Sequence, residues 1–248
     1  MVAHADVSGA AAPRAVRFLG ADPVGPLAEG RGTAIATPAT TACRAWGPVG
    51  SRWVELDAYG RAAGHAVVRR REYYEVSHCD ELRMRRVDGT PGAGVFVDAA
   101  AGYKAPRVTS WRPGGRDLAA LETTVSPRQL AVADLDPAHP VPFERRVLFF
   151  EWQPSAERYA VVGGRSLVVL AFRGGRWDVL HEQKPKTMRG RNDAYSPLLV
   201  TDMNGDGLPE IVVHSREAQG EWFGDFTLSL DVAGSWRRID AGIFGSTG

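Results

Sequence analysis

The stretch Leu198-Leu199-Val200-Thr201-Asp202-Met203-Asn204-Gly205-Asp206-Gly207-Leu208-Pro209-Glu210-Ile211-Val212-Val213 joins two apolar runs through an acidic loop that carries glycine. Each run is short and largely β-branched or leucine, which reads as strand, loop, strand. Residues 226–232 follow as a third run. Ala233-Gly234 then makes a turn, and 236–239 form a fourth run that opens on Trp236. A weaker copy lies upstream: 130–133, the acidic Asp134-Leu135-Asp136, then 146–152, 166–172, Gly174-Gly175 and 177–181. Asp134 and Asp202 stand 68 positions apart. A unit of four strands that recurs is the form of a propeller blade.

The remaining body extends this reading. Runs at 53–58, 65–72, 81–87, 94–98 and 107–111 are rich in Val, Leu, Phe, Tyr and Trp and are punctuated by glycine. Asp88-Gly89 and Gly174-Gly175 read as hairpin turns, because glycine supplies positive φ. One helix is expected, at 117–122, after Gly114-Gly115. The fold class expected is all-β, with antiparallel four-stranded blade-like sheets arranged as an open or four- to five-bladed propeller. Residues 1–45, rich in Ala, Gly, Pro and Thr without sustained period, read as a loop-rich lead-in to a β-rich domain over 46–248.

Composition narrows the function classes. The chain has 248 residues and a formal net charge of +1, which argues against nucleic-acid binding through bulk electrostatics. No run approaches 18 apolar residues, so no membrane-spanning helix is expected. No Walker loop, dinucleotide fingerprint or nucleophile elbow is present, and the six histidines lack zinc spacing.

The loop at 202–210 carries the chemistry. Asp202, Asn204 and Asp206 place oxygen donors at loop positions 1, 3 and 5, and Gly207 at position 6 permits a sharp turn. The Leu208 carbonyl and the Glu210 carboxylate complete a set of hard oxygen ligands suited to Ca²⁺. The bland alternative, two turn dipeptides side by side, explains Gly205 and Gly207 but not the alternating oxygen donors. An EF-hand needs Glu at position 12, where this chain has Val213 ahead of a β-run instead of a helix.

The sequence Asp-x-Asn-x-Asp-Gly-x-x-Glu followed at once by a strand resembles the FG-GAP/VCBS repeat, over about 196–239. The resemblance implies a β-propeller like the head of integrin α chains, with Ca²⁺ between the first two strands of a blade. The copy at 129–182 keeps Asp134 and Asp136 but has Pro137 at the next ligand region, so it is expected to be metal-free or weak. The reading that follows is an exported, calcium-binding, non-enzymatic binding or adhesion module at an extracellular, cell-surface or periplasmic location. Its partner would be a protein or glycan at a sheet face. In exported surroundings Cys43 and Cys79 are expected to bridge; otherwise they are two thiols.

Two other classes stay open at the sequence level. One is a secreted hydrolase using dispersed acids such as Asp57, Glu151 and Asp178. The other is a structural part of a surface assembly. Ser77-His78-Cys79-Asp80-Glu81 reads as structural rather than catalytic. The arginines at 69–71 and 83–86 read first as a solvated strand face, and otherwise as a site for an anionic partner.

Overall fold

The structure, a computed structural model, describes residues 2–5, 14–18, 48–74, 79–90, 95–99, 108–127, 147–153, 155–184, 187–188, 191–192, 194–202, 207–216 and 222–246. It is all-β, with one short helix among the described residues, and its antiparallel sheets are blade-like.

The first group of strands is β1 (Val2–Ala5), β2 (Arg14–Phe18), β3 (Arg52–Leu56), β4 (Ala62–Tyr74), β5 (Cys79–Gly89) and β6 (Val95–Asp98). Its central sheet runs β5-β4-β3-β6. The hairpin of β1 and β2 pairs onto the two outer strands, so the hydrogen-bonded order β1-β2-β5-β4-β3-β6 returns on itself. Both β1 and β2 lie within the lead-in. Alternation along β3 and β4 buries Trp53, Ala66 and Val68 while Arg52 and Arg69 stay exposed.

The second group is β7 (Val108–Ser110), α1 (Gly115–Val125), β8 (Val147–Trp152), β9 (Glu157–Val162), β10 (Leu167–Arg173) and β11 (Arg176–Gln183), with sheet order β11-β10-β9-β8-β7. Next come the two-residue strands β12 (Thr187–Met188) and β13 (Arg191–Asn192). The chain closes with β14 (Ala194–Thr201), β15 (Glu210–Arg216), β16 (Trp222–Leu230) and β17 (Trp236–Ser246), a meander in that order.

The second sheet is buried on both faces, which is why β10 is an unbroken apolar run rather than an alternating one. One face, with Phe150, Tyr159, Val161 and Val169, packs on Val200, Ile211, Val213, Phe226 and Leu228 of the last sheet. The other, with Ala160, Val162, Val168, Leu170 and Trp177, is covered by Leu121 and Val125 of α1. Those two helix residues are four apart and so share one side of α1. Each such buried aliphatic side chain contributes about 1.5–3 kcal/mol.

Two sequence readings are corrected. Asp88-Gly89 is not a hairpin turn. It ends β5, with Gly89 opposite Gly64, and Asp88 Oδ1 accepts the His65 backbone N–H at 2.9 Å. Here Gly89 has φ +80°, and its backbone lies against Ala63 and Gly64, leaving no room for a Cβ. Secondly, the upstream unit contains a strand the reading passed over. β9 lies between β8 and β10, so the meander equivalent to β14-β15-β16-β17 is β8-β9-β10-β11. Residues 130–133 and the Asp134 loop lie outside the described residues. So does Cys43, as does the side chain of Cys79.

Candidate metal loop

Asp202 follows β14 directly, and Glu210 opens β15. Register sets Thr201 opposite Glu210, so the last rung of the β14/β15 ladder closes the loop at its base. The two described ends of the loop, Asp202 and Gly207, are held together. Asp202 Oδ2 accepts the Gly207 backbone N–H at 3.1 Å, and Gly207 adopts φ +84°. That conformation is ordinary for glycine and strained for a residue with a Cβ.

Glu210 is fully buried. Its neighbours Ile211 and Val213 lie in the core between the last two sheets, and alternation therefore puts Glu210 on the opposite face. Glu210 Oε1 accepts the Ser229 hydroxyl at 3.1 Å, from the residue directly across on β16. Leu208 is half-buried, and the Pro209 carbonyl accepts the Leu230 N–H at 3.2 Å, fixing the exit of the loop.

Two residues that the sequence did not nominate hold this loop. Ser229 is one. The other is Trp152, at the end of β8 in the neighbouring sheet, whose indole Nε1 donates to the Gly207 carbonyl at 3.0 Å. No sequence signal pairs Trp152 with Gly207, because the contact spans 55 positions and two sheets.

Of the predicted donors, Asp202, Leu208 and Glu210 are described and gather at one end of the β14/β15 hairpin. Asn204 and Asp206 lie outside the described residues. The donor chemistry of the described three is hard oxygen throughout: a carboxylate, a backbone carbonyl and a buried carboxylate. That fits Ca²⁺ in kind. Among the described residues, no three His, Cys, Asp or Glu side chains converge as a metal group.

The acids nominated for hydrolysis do not converge. Glu151 shares a row with Arg158, Phe172 and Trp177, whereas Asp178 shares the next row with Ala171, Tyr159 and Phe150. Adjacent rows point to opposite faces, so the two carboxylates are separated by the sheet itself. Glu151 pairs with Arg158 at 2.9 Å and Asp178 with Arg176 at 3.1 Å. Asp57 Oδ1 accepts the backbone N–H groups of Tyr59 and Arg61, a turn-closing role.

No family model matches the chain, and no curated protein or solved structure matches it either.

Proposed function

We propose that this chain is an exported, non-enzymatic binding module whose last sheet is rigidified by a structural Ca²⁺ in the 202–210 loop, in the manner of an FG-GAP/VCBS repeat. The observation that carries the reading is the pairing of the loop's two described ends. Asp202 turns inward onto Gly207, and the buried Glu210 carboxylate stands at the loop's base. Residues Asp202, Asn204, Asp206, Glu210 and the Leu208 carbonyl would hold the ion. Bound there, Ca²⁺ supplies charge neutralisation. Carboxylates brought together by the curl repel one another, and a divalent cation turns that repulsion into attraction. The protein's own share is to preorganise the donors: the Asp202 bond to Gly207 sets the curl, Ser229 orients Glu210, and Trp152 ties the curl to the next sheet. Sites of this class bind at roughly 10⁻⁴–10⁻³ M, which suits calcium-rich exported surroundings.

Thermal unfolding of the intact chain in CaCl₂, MgCl₂ and EDTA tests the reading. With a Kd near 10⁻⁴ M, about 2 mM calcium adds roughly 1.8 kcal/mol, a rise of several degrees in Tm. Asp202→Asn and Asp206→Asn are expected to abolish the calcium-specific rise. Identical midpoints for wild type in calcium and EDTA would remove the metal from the account.

A further inference from the structure

We propose that an arginine band crossing the first sheet is a docking surface for a linear acidic polysaccharide. The inference rests on the reading of the chain as a binding module but does not depend on its calcium.

Strand pairing assembles the band from distant stretches of sequence. Arg83 on β5 lies opposite Arg70 on β4. Arg85 lies opposite Val67, which lies opposite Arg52 on β3. Three consecutive strands, β5, β4 and β3, therefore contribute arginines to one transverse zone, and Arg69 on β4 adds to it. Arg52, Arg69 and Arg85 are exposed, while Val54, His65 and Val67 between them are half-buried. Trp53, Ala66 and Val68 are buried on the other face. The arginine face is the outward one.

Charge is bounded along the strands and continuous across them. Segments 66–71 and 82–87 hold no acidic residue. One end of the zone is closed by Glu72 opposite Glu81, the other by Asp88 opposite His65. Asp88 Oδ1 also meets His65 Nδ1 at 2.7 Å. A polyanion running along the strands would meet carboxylates at both ends; one lying across them passes from Arg52 over Val67 to Arg85. Two inter-strand spacings make that transverse path about 10 Å long, enough for a short stretch of an oligosaccharide.

The chemistry selects an acidic glycan. Guanidinium groups present paired donors that match carboxylate and sulfate oxygens, so uronate or sulfate groups suit them. A single-stranded nucleic acid calls for aromatic platforms on which bases stack, whereas the described side chains between these arginines are Val54, Val67 and His65. A net charge of +1 also sets the chain apart from general nucleic-acid binders.

The test is binding of the intact chain to heparin, by calorimetry and on an affinity column, in calcium and in EDTA. Uncharged dextran, single-stranded DNA and duplex DNA serve as comparators. Retention by heparin but not dextran is expected, with affinity falling steeply as salt rises. The variant carrying Arg52→Ala, Arg69→Ala and Arg85→Ala should lose roughly tenfold or more in affinity while keeping the wild-type Tm. A charge-matched control carrying Arg112→Ala, Arg116→Ala and Arg176→Ala, away from this face, should bind heparin like wild type. Arg69→Ala alone serves if the triple variant melts early, and is expected to weaken binding measurably. Equal loss in the control, absence of retention, or tighter binding of DNA than of heparin would each overturn the proposal. Heparin retention that persists in EDTA without any calcium-dependent Tm rise would sink the metal reading and leave this surface standing. A calcium rise without retention would do the reverse.

Discussion

Glu157 shows how much one side chain on a sheet rim can organise. Burial pushes its carboxyl pKa up, but hydrogen bonds from the Tyr159 hydroxyl and the Arg173 guanidinium outweigh that and hold it below the ordinary value. Burial and the bond to Glu157 push the Tyr159 phenol the other way, well above its usual range. A carboxyl held low in the folded state stabilises fully above its unfolded pKa, and that stability is lost as pH falls through the lower folded value. Chemical denaturation from pH 7 to pH 3 should therefore show an acid-side decline that flattens in Glu157→Gln; equal slopes in both proteins would deny Glu157 the role. A second residue-scale case lies in the first sheet. Glu55 is fully buried, and Arg86 Nε reaches its Oε2 at 2.9 Å across β4, where Gly64 and Ala66 leave space for the guanidinium. Removing one partner of such a pair strands a buried charge. Arg86→Met should cost about 3–5 kcal/mol in urea unfolding, and a loss below about 1 kcal/mol would mean the ion pair contributes little.

At the scale of the element, two turns in different sheets are built alike. In Asp57-Ala58-Tyr59-Gly60-Arg61 and Asp231-Val232-Ala233-Gly234-Ser235, the aspartate Oδ1 accepts the N–H groups two and four residues on. In both, the glycine N–H donates back to the aspartate carbonyl, and the glycine has positive φ. Such turns have a local basis, because Asp and Gly each have a local reason to be there; the second is legible at Ala233-Gly234, whereas a strand read over 53–58 runs across Asp57 and hides the first. The ends of β10 and β11 around Gly174-Gly175 were legible for the same reason. β9 was not. It begins with Glu157 and Arg158 and ends at Gly163-Gly164, so its polar start looks like loop until the neighbouring strands cover it. Gly163 itself illustrates a demand that no local pattern reveals. A Cβ there would stand 2.4 Å from Pro197 Cδ and 2.4 Å from the Tyr195 carbonyl oxygen. Gly163→Ala is expected to destabilise by about 2 kcal/mol or more, since the obstacle is backbone on the neighbouring strand. Gly174→Ala, in open space, should cost only about 1 kcal/mol for its positive φ. Equal costs in parallel denaturant titrations would contradict the close approach.

For the whole molecule, the sequence disclosed the class of fold and left its assembly hidden. Apolar runs, glycine turns and a tryptophan after the turn announced antiparallel sheets, and α1 was readable after Gly114-Gly115, though it extends beyond 117–122 to Gly115–Val125. That the middle sheet is covered by another sheet on one side and by α1 on the other could be inferred only from the continuous burial of β10. The candidate loop was legible because its donors are consecutive. Its supports, Trp152 and Ser229, were not, because each is brought in by pairing or packing over long separations. The arginine band is a further product of register: local sequence shows its runs, and only strand order joins them into a transverse zone.

The last two sheets are joined at two separated places along β14. At its start the Tyr195 N–H donates to the Gly164 carbonyl at 2.7 Å, and beyond its end Trp152 grips Gly207. Two fixed points define a line. With both in place, the sheets cannot slide lengthwise past each other. The core shared by the two sheets opposes rotation about an axis near β14. Loosening the Gly207 end alone would leave the Tyr195 bond as the one of these two fixed points still in place.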